Sequence, residues 1–246
     1  MVTFGLVHGA WHGAWCWDLL ATELEQLGHR AVTVDLPCED WDAGLEDNAA
    51  VVVAALEDVA GDVVLVGHSL GGITIPVVTR RRPVAQLVFL CALVPEPGRS
   101  LDQTIRAGRP RASRGWTGPN IVHPDGSASW ESEAAVAAFY HDCPHEVAYW
   151  AASKLRRQVW TTTRQPCPLE RWPDVPSSYI LCTEDKPIAP DWARQVARER
   201  LGVEAVELPG GHSPMLSRPH QLAEVLHHLA GEEGPGPSAA RASAPA

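Results

Sequence analysis

The sequence has little positive charge and no long apolar run. Its 246 residues include 20 Lys and Arg against 30 Asp and Glu, which gives a net charge of −10 at pH 7. A surface of this sign repels nucleic-acid phosphates and anionic lipids. No apolar stretch approaches the ~20 residues that a membrane-spanning helix requires. We therefore expect neither a nucleic-acid nor a membrane partner.

Paired cysteines and a secretory leader are also missing. The six cysteines are scattered and none forms a CxxC pair. In a chain this much longer than disulfide-stapled domains, they are expected to be reduced thiols. Met1 is followed directly by the apolar residues 2–7, without the basic region or the cleavage site of a signal peptide. Together these features predict a cytoplasmic protein.

The apolar pattern predicts an α/β fold with a mostly parallel sheet of about six strands flanked by helices. Short apolar runs alternate with segments of helical period, as in βαβ units. A helix is expected after Ser69, kinked at Pro76 and ending near Arg82, and the first strand is expected at the centre of the sheet. The predicted strands are residues 2–7, 31–34, 63–66, 86–91, 178–182 and 203–208.

Two stretches break this α/β rhythm. Residues 95–175 are rich in Pro and Arg, lack strand-like runs and show helical periodicity at 131–140 and 146–158. We interpret them as a helical cap inserted between two parts of one α/β core, residues 1–94 and 176–230. Residues 231–246 contain mainly Gly, Pro, Ala and Ser without an apolar stripe, which predicts a disordered tail.

The strongest motif directly follows the third predicted strand. Gly67-His68-Ser69-Leu70-Gly71 matches G-x-S-x-G between a buried strand and a helix. In that context the serine occupies a strained turn with an accessible hydroxyl, and the small flanking residues allow neighbouring backbone to approach. A serine hydroxyl alone is a poor nucleophile, so a base and an orienting acid are expected later in the chain.

His212 and Asp185 are the candidates for these two roles. His212 lies in the Gly-rich loop after the last predicted strand, at the sheet edge where ligands bind. Glu184 and Asp185 both follow the strand at 178–182, and the shorter Asp185, deeper in the turn, is the preferred acid. The alternative is Glu184, which is otherwise expected to face solvent.

Two backbone N–H groups are needed to stabilise the oxyanion that forms when a serine attacks a carbonyl. The loop after the first strand reads His8-Gly9-Ala10-Trp11, so the N–H groups of Ala10 and Leu70 are the natural pair. His8, Gly9, Trp11, His68 and Ser213 adjoin these positions and are candidate substrate contacts. His68 could instead pack beneath the nucleophile.

The segment His141-Asp142-Cys143-Pro144-His145 superficially resembles a metal-binding run. Pro144 interrupts it, and no second ligand cluster with the usual spacing supports it. We expect no metal and no cofactor.

The chain resembles the α/β-hydrolase-fold serine hydrolases, in particular the branch with methyl-salicylate-type esterases, hydroxynitrile lyases and their bacterial relatives. The matching segments are 7–15, 65–72, 182–186 and 210–212, and residues 139–143 resemble bacterial members. The resemblance implies Ser69 as nucleophile, His212 as base, Asp185 as orienting acid, and Ala10 with Leu70 as oxyanion donors.

At two positions the chain differs from the hydroxynitrile lyases in a way that affects the expected reaction. Hydroxynitrile lyases of this branch carry threonine at the position of Gly9 and lysine at that of Ser213, and the lysine is thought to stabilise leaving cyanide. Without that cation, hydrolysis of a small or medium carboxylic ester, thioester or lactone with an apolar or aromatic character is the favoured function. The alternatives are a lyase or other biosynthetic enzyme that reuses the same triad, and a non-catalytic ligand receptor. The sequence leaves the oligomeric state open.

Overall fold

A computed structural model describes residues 1–106, 118 and 121–231. The predicted tail, apart from Gly231, lies outside the described residues, as do residues 107–117, 119 and 120 of the predicted cap. Within the described residues, no helix is both long and apolar enough to cross a membrane.

The main sheet has six strands, all parallel to their neighbours. They are β1 (Thr3–Val7), β2 (Arg30–Thr33), β3 (Val63–His68), β4 (Gln86–Leu90), β7 (Ser177–Cys182) and β8 (Val206–Leu208). Their order across the sheet is β2-β1-β3-β4-β7-β8. The predicted parallel sheet is therefore confirmed, but the first strand is not central. The central strands are β3 and β4, since β1 lies one strand in from the edge.

Strands β1 and β3, which precede the two predicted oxyanion donors, are direct neighbours in the sheet. In the register of β1 with β3, Val7 pairs with Gly67. The loops that follow these strands therefore begin at the same level of the sheet. This pairing, rather than a central position of β1, brings together the two loops that contain the predicted oxyanion donors.

Helices cover both faces of the sheet. They are α1 (Asp18–Gln26), α2 (Leu45–Ala55), α3 (Ile75–Val78), α8 (Pro190–Val196), α9 (Pro214–Ser217) and α10 (Pro219–Gly231). The expected helix after Ser69 is a 3-10 turn over Ser69–Ile73 followed by α3. Pro76 lies in the first turn of α3, where its missing N–H breaks no helical hydrogen bond, so no long helix is kinked.

Successive strand residues face opposite layers because side chains alternate along a strand. Val64, Val66 and Leu90 pack with α1 and α10 on one face. Leu65 and Phe89 pack with α2 and α8 on the other. Both faces are thus buried, which explains why the strands read as continuous apolar runs instead of alternating ones.

Residues 95–175 connect β4 to β7 and are here named the inserted segment. It contains α4 (Leu101–Arg106), α5 (Ser132–Phe139), α6 (His145–Ser153) and α7 (Thr161–Arg164), so both predicted helical stretches form helices. Against expectation it also contains two short antiparallel strands, β5 (Ile121–Val122) and β6 (Ala128–Ser129). Two-residue strands leave too little alternation to be seen in a sequence.

Candidate active site

Ser69 directly follows β3 and is the first residue of the 3-10 turn. Its φ of +51° lies in the left-handed region that residues with side chains rarely adopt. The Ser69 carbonyl accepts a hydrogen bond from the Leu93 N–H at 3.0 Å, which fixes the turn to the end of β4. Ser69 itself is half-buried. This is the strained turn that the G-x-S-x-G pattern predicts.

Glycines make the turn possible because backbone packs directly against them. A Cβ on Gly71 would lie 2.6 Å from the carbonyl oxygens of both Val7 and His8. A Cβ on Gly67 would lie 2.9 Å from the Gly71 carbonyl oxygen. Real Cβ atoms do not approach that closely. Glycine at position 71 therefore lets the loop after β1 lie against the serine turn, and glycine at position 67 lets the turn itself close.

Strained backbone is concentrated at this edge of the sheet. In the described part of the chain, the other non-glycine residues with positive φ are Trp11 (+64°) and Cys91 (+45°). Trp11 lies in the loop after β1 and Cys91 directly follows β4. Strain of this kind persists where the surrounding structure enforces it, and it is frequent at functional sites.

His212 and Asp185 form a buried pair. His212 Nδ1 donates a hydrogen bond to Asp185 Oδ2 at 2.8 Å, and the two side chains are 1% and 2% exposed. The second carboxylate oxygen, Oδ1, accepts the Ile188 N–H at 2.8 Å. Because Nδ1 carries the proton in this hydrogen bond, Nε2 of a neutral His212 is free to accept one. The neighbouring Glu184 is exposed.

His68 links the serine turn to the His212 loop. Its Nε2 donates to the His212 carbonyl oxygen at 2.9 Å, and the two imidazole rings are 4.7 Å apart. His68 is fully buried, and burial lowers its pKa well below the usual value. The neutral ring therefore connects the serine turn to the His212 loop. Its predicted substrate contact stays a prediction.

Two histidines hold the loop after β1. The Leu36 N–H donates to His8 Nε2 at 2.9 Å, so His8 Nδ1 carries the proton and donates to the Gly9 carbonyl at 2.8 Å. His12 Nδ1 donates to the Ala10 carbonyl at 2.7 Å. Burial lowers the pKa of His8 to about 4 and that of His12 to about 3, so both rings are neutral. Within the described residues, no hydrogen bond uses the N–H of Ala10 or Leu70.

The other predicted substrate contacts have the following surroundings. A Cβ on Gly9 would lie 2.7 Å from Ser69 Cβ, so Gly9 lies directly against the serine. The Trp11 indole N–H donates to the Ala128 carbonyl at 3.1 Å. Ser213 is fully buried, and its hydroxyl has no hydrogen-bond partner among the described residues. Contact of these residues with a substrate stays a prediction.

One cluster in the described residues has metal-ligand groups close together. Atoms of Cys91, Asp185 and His212 lie within 4.8 Å of one another. The His212–Asp185 hydrogen bond accounts for their proximity, and burial raises the pKa of the Cys91 thiol well above its usual value. A protonated thiol is a poor metal ligand. All six cysteines are free.

Sequence reasoning did not identify the part of the inserted segment that reaches this site. The Phe139 ring lies 5.9 Å from that of His212, and the Tyr140 hydroxyl donates to His12 Nε2 at 2.9 Å. Asp142 Oδ2 accepts the N–H of Gly211 at 2.9 Å. The only sequence signal was the resemblance of residues 139–143 to bacterial relatives, which carries no assignment of roles.

The parallel sheet, the strained serine turn and the buried His–Asp pair define an α/β hydrolase. The chain belongs to the alpha/beta hydrolase family, whose model it matches over residues 6–225. That match includes both edge strands of the main sheet, β2 and β8, and all the residues of the candidate site.

Similar proteins are esterases and hydrolases. A carbendazim hydrolyzing esterase of Nocardioides sp. (strain SG-4G) is 30% identical, over 93% of this chain and 100% of its own. Methyl jasmonate esterase 1 of Vitis vinifera is 29% identical, over 92% and 95%. The solved structure of a pyrethroid hydrolase from Sphingobium faniae JZ-2 superposes with a TM-score of 0.79 at 26% identity, over 94% and 98%. The chain is an enzyme of the carboxylic ester hydrolase class.

Proposed function

We propose that this enzyme hydrolyses small, apolar or aromatic carboxylic esters through an acyl-enzyme, with Ser69 as nucleophile, His212 as base and Asp185 as orienting acid. The observation that carries this proposal is the buried 2.8 Å hydrogen bond from His212 Nδ1 to Asp185 beside the strained serine turn. That hydrogen bond leaves Nε2 of His212 as the available acceptor.

The reaction has two halves. Ser69 Oγ attacks the ester carbonyl carbon while His212 Nε2 takes the hydroxyl proton, and Asp185 stabilises the resulting imidazolium. His212 then gives this proton to the departing alkoxide, which leaves an acyl group on Ser69. Water attacks that acyl group in the second half, with His212 again as base, and releases the carboxylic acid.

The proposed oxyanion donors are the N–H groups of Ala10 and Leu70. In a trans peptide the carbonyl and the following N–H point in opposite directions. His8 holds the Gly9 carbonyl on one side of the Gly9–Ala10 peptide, which directs the Ala10 N–H to the other side. Such a fixed donor stabilises the developing negative charge without having to reorient during the reaction.

A small cavity next to Leu70, one of the two proposed donors, supports a size limit on the substrate. It measures about 20 Å³, and Gly9, Leu70 and Gly71 contribute to its wall. That volume holds about one water molecule. We infer that one side of the ester, placed there, is as small as a methyl group. Its other side would face the aromatic rings of Trp11, Trp130 and Phe139, which lie within 5.8 Å of one another.

We further propose that residues 95–175 form a cap over the serine and that residues 1–94 and 176–230 form one α/β core. The support is the contact of Phe139 with His212 and the aromatic cluster around Trp11. A cytoplasmic location is proposed because all six cysteines are free.

Cyanohydrin cleavage is the second candidate reaction, and the local geometry disfavours it. A threonine in place of Gly9 has no room, since even its Cβ would lie 2.7 Å from Ser69 Cβ. Ser213 is uncharged and fully buried, so it offers no cation to stabilise leaving cyanide.

Parallel assays with nitrophenyl esters of increasing acyl length and with mandelonitrile test this function. We expect turnover of the acetyl ester, falling rates with longer acyl chains, and no cyanide release. Thioesters and lactones of matched size extend the comparison. Cyanide release in the absence of ester turnover would contradict the proposal.

A further inference from the structure

One carboxylate of the inserted segment contacts the loop that carries His212. Asp142 lies between α5 and α6, and its Oδ2 accepts the Gly211 N–H at 2.9 Å and the Arg218 guanidinium at 3.3 Å. Gly211 immediately precedes His212 in the chain, and Arg218 follows α9. A single oxygen atom therefore fixes the chain on both sides of His212.

The His212 loop is shaped for this contact. Gly210 has a φ of +101°, and a Cβ there would collide with Asp142 Oδ2. A Cβ on Gly211 would lie 2.6 Å from His141 Cε1 and 2.7 Å from Asp142 Oδ1. The two glycines thus permit a carboxylate to approach the backbone at hydrogen-bond distance. The left-handed backbone accounts for glycine at position 210 only, and the hydrogen bond between His212 and Asp185 requires glycine at neither position.

Burial from water strengthens the hydrogen bonds that Asp142 accepts from Gly211 and Arg218. The Asp142 side chain is 11% exposed, and the Arg218 side chain is 27% exposed. Hydrogen bonds from an N–H to an ionised carboxylate are shorter and roughly twice as strong as neutral ones. They also lose little to water where the pair is shielded. Asp142 therefore holds the loop more firmly than a surface ion pair would.

The same stretch of the inserted segment reaches the other two catalytic loops. Lys186, next to Asp185, donates to the Ala137 carbonyl at 2.6 Å. Tyr140 donates to His12, which holds the Ala10 carbonyl. The ring contacts of Phe139 and Tyr140 do not involve Asp142, so the role of Asp142 can be tested separately.

We propose that Asp142 is a positioning residue that holds His212 in its catalytic orientation, and that the inserted segment thereby helps to assemble the active site. This inference rests on the proposed function of Ser69 and His212. A displacement of a catalytic group by about 1 Å costs about 10²-fold in rate. Loss of the Asp142 contact should therefore lower kcat without a matching rise in KM, because Asp142 is not placed to touch the substrate.

The experiment compares four proteins on a nitrophenyl ester: wild type, Asp142→Ala, Asp142→Asn and Glu96→Ala. We expect Asp142→Ala to lower kcat by about 10²-fold with KM retained. Asp142→Asn should recover most of this loss, because its amide oxygen can still accept the Gly211 N–H. Glu96→Ala is the matched control, since Glu96 is a shielded carboxylate, 21% exposed and ion-paired to Arg200.

Two further measurements keep the test decisive. Thermal unfolding of all four proteins separates a lost orientation from a lost fold, and the rate of Ser69 labelling by a serine-directed phosphonate reports on His212 without turnover. Should Asp142→Ala fail to fold, Gly211→Ala disturbs the same contact from the other side, through Asp142 and the adjacent His141 ring, and we expect a similar loss of kcat.

Retention of wild-type kcat by Asp142→Ala, or by a folded Gly211→Ala, would overturn the inference. So would an equal loss of kcat in Glu96→Ala. A wild-type protein that neither turns over esters nor becomes labelled at Ser69 would instead contradict the proposed function, so the two failures are distinguishable.

Discussion

At the scale of single residues, two adjacent carboxylates follow β7 and differ in their access to water. Asp185 is 2% exposed and hydrogen-bonded to both His212 and the Ile188 N–H. Glu184 is exposed. A buried carboxylate is tolerated only when its oxygens are satisfied in this way. The difference in burial therefore favours Asp185 over Glu184 for the proposed orienting role.

Substitution of each carboxylate by its amide should separate them. Asp185→Asn should lower kcat by about 10⁴-fold, because an amide N–H₂ favours the wrong imidazole tautomer. Glu184→Gln should leave kcat close to wild type. Steady-state kinetics on one nitrophenyl ester checks both variants. The opposite ranking would move the acid to Glu184.

Sequence reasoning at this scale was limited to residues within motifs. The G-x-S-x-G turn has a local signature, because strand, glycines and serine are contiguous around Ser69. Asp142 and Tyr140 have none, since their partners Gly211 and His12 lie 69 and 128 residues away. Contacts between residues so far apart in the chain depend on tertiary packing, and the spacing of residues in a single sequence does not predict them.

At the scale of elements, the loops after β1 and β3 pack against each other through glycine. Gly71 lies against the carbonyl oxygens of Val7 and His8, the last residue of β1 and the first of the following loop. The loop after β1 therefore occupies the space that a side chain at position 71 would fill. This packing makes the separation of the two loops sensitive to a single methyl group.

Gly71→Ala should consequently separate the two loops. We expect it to destabilise the fold by about 1–3 kcal/mol, as overpacking does, and to lower kcat. Gly231→Ala is the matched control, because no atom of the described residues lies within 4 Å of a Cβ built there and its φ is not in the left-handed region. Chemical unfolding and esterase kinetics report the two effects. Wild-type stability and activity of Gly71→Ala would contradict this account of the packing.

The sequence predicted the approximate extent of strands that are buried along their whole length. The strands at 63–68 and 177–182 are buried over their full length, and their apolar runs indicated them. The helix after Ser69 was predicted too long, because the pattern gives no sign that residues 69–73 form a 3-10 turn. The position of β1 was also wrong, since strand order depends on contacts between strands rather than on their composition.

At the scale of the whole molecule, three neutral histidines are buried around the site. Burial lowers the pKa of His8 to about 4 and that of His12 to about 3, and it lowers that of His68 well below 6.5. In the unfolded chain these groups bind protons at an ordinary pKa of about 6.5. The unfolded state therefore binds more protons below that pH, and stability falls as pH falls.

The free energy of unfolding should accordingly decrease from about pH 6.5 towards about pH 4, by roughly 1.4 kcal/mol per pH unit for each of the three histidines. Urea unfolding at a series of pH values measures this slope. His12→Gln, which cannot titrate, should reduce the slope by one such increment. Equal unfolding free energies at about pH 7 and about pH 5 would contradict the assignment of three buried neutral rings.

The central claim is that Ser69 becomes covalently acylated during ester hydrolysis. The most direct test is mass spectrometry of the protein quenched during reaction with nitrophenyl acetate, followed by peptide mapping. We predict one acetyl group per chain, located on Ser69, and no such adduct and no turnover in Ser69→Ala. An acetyl group on another residue, or full activity of Ser69→Ala, would contradict the account.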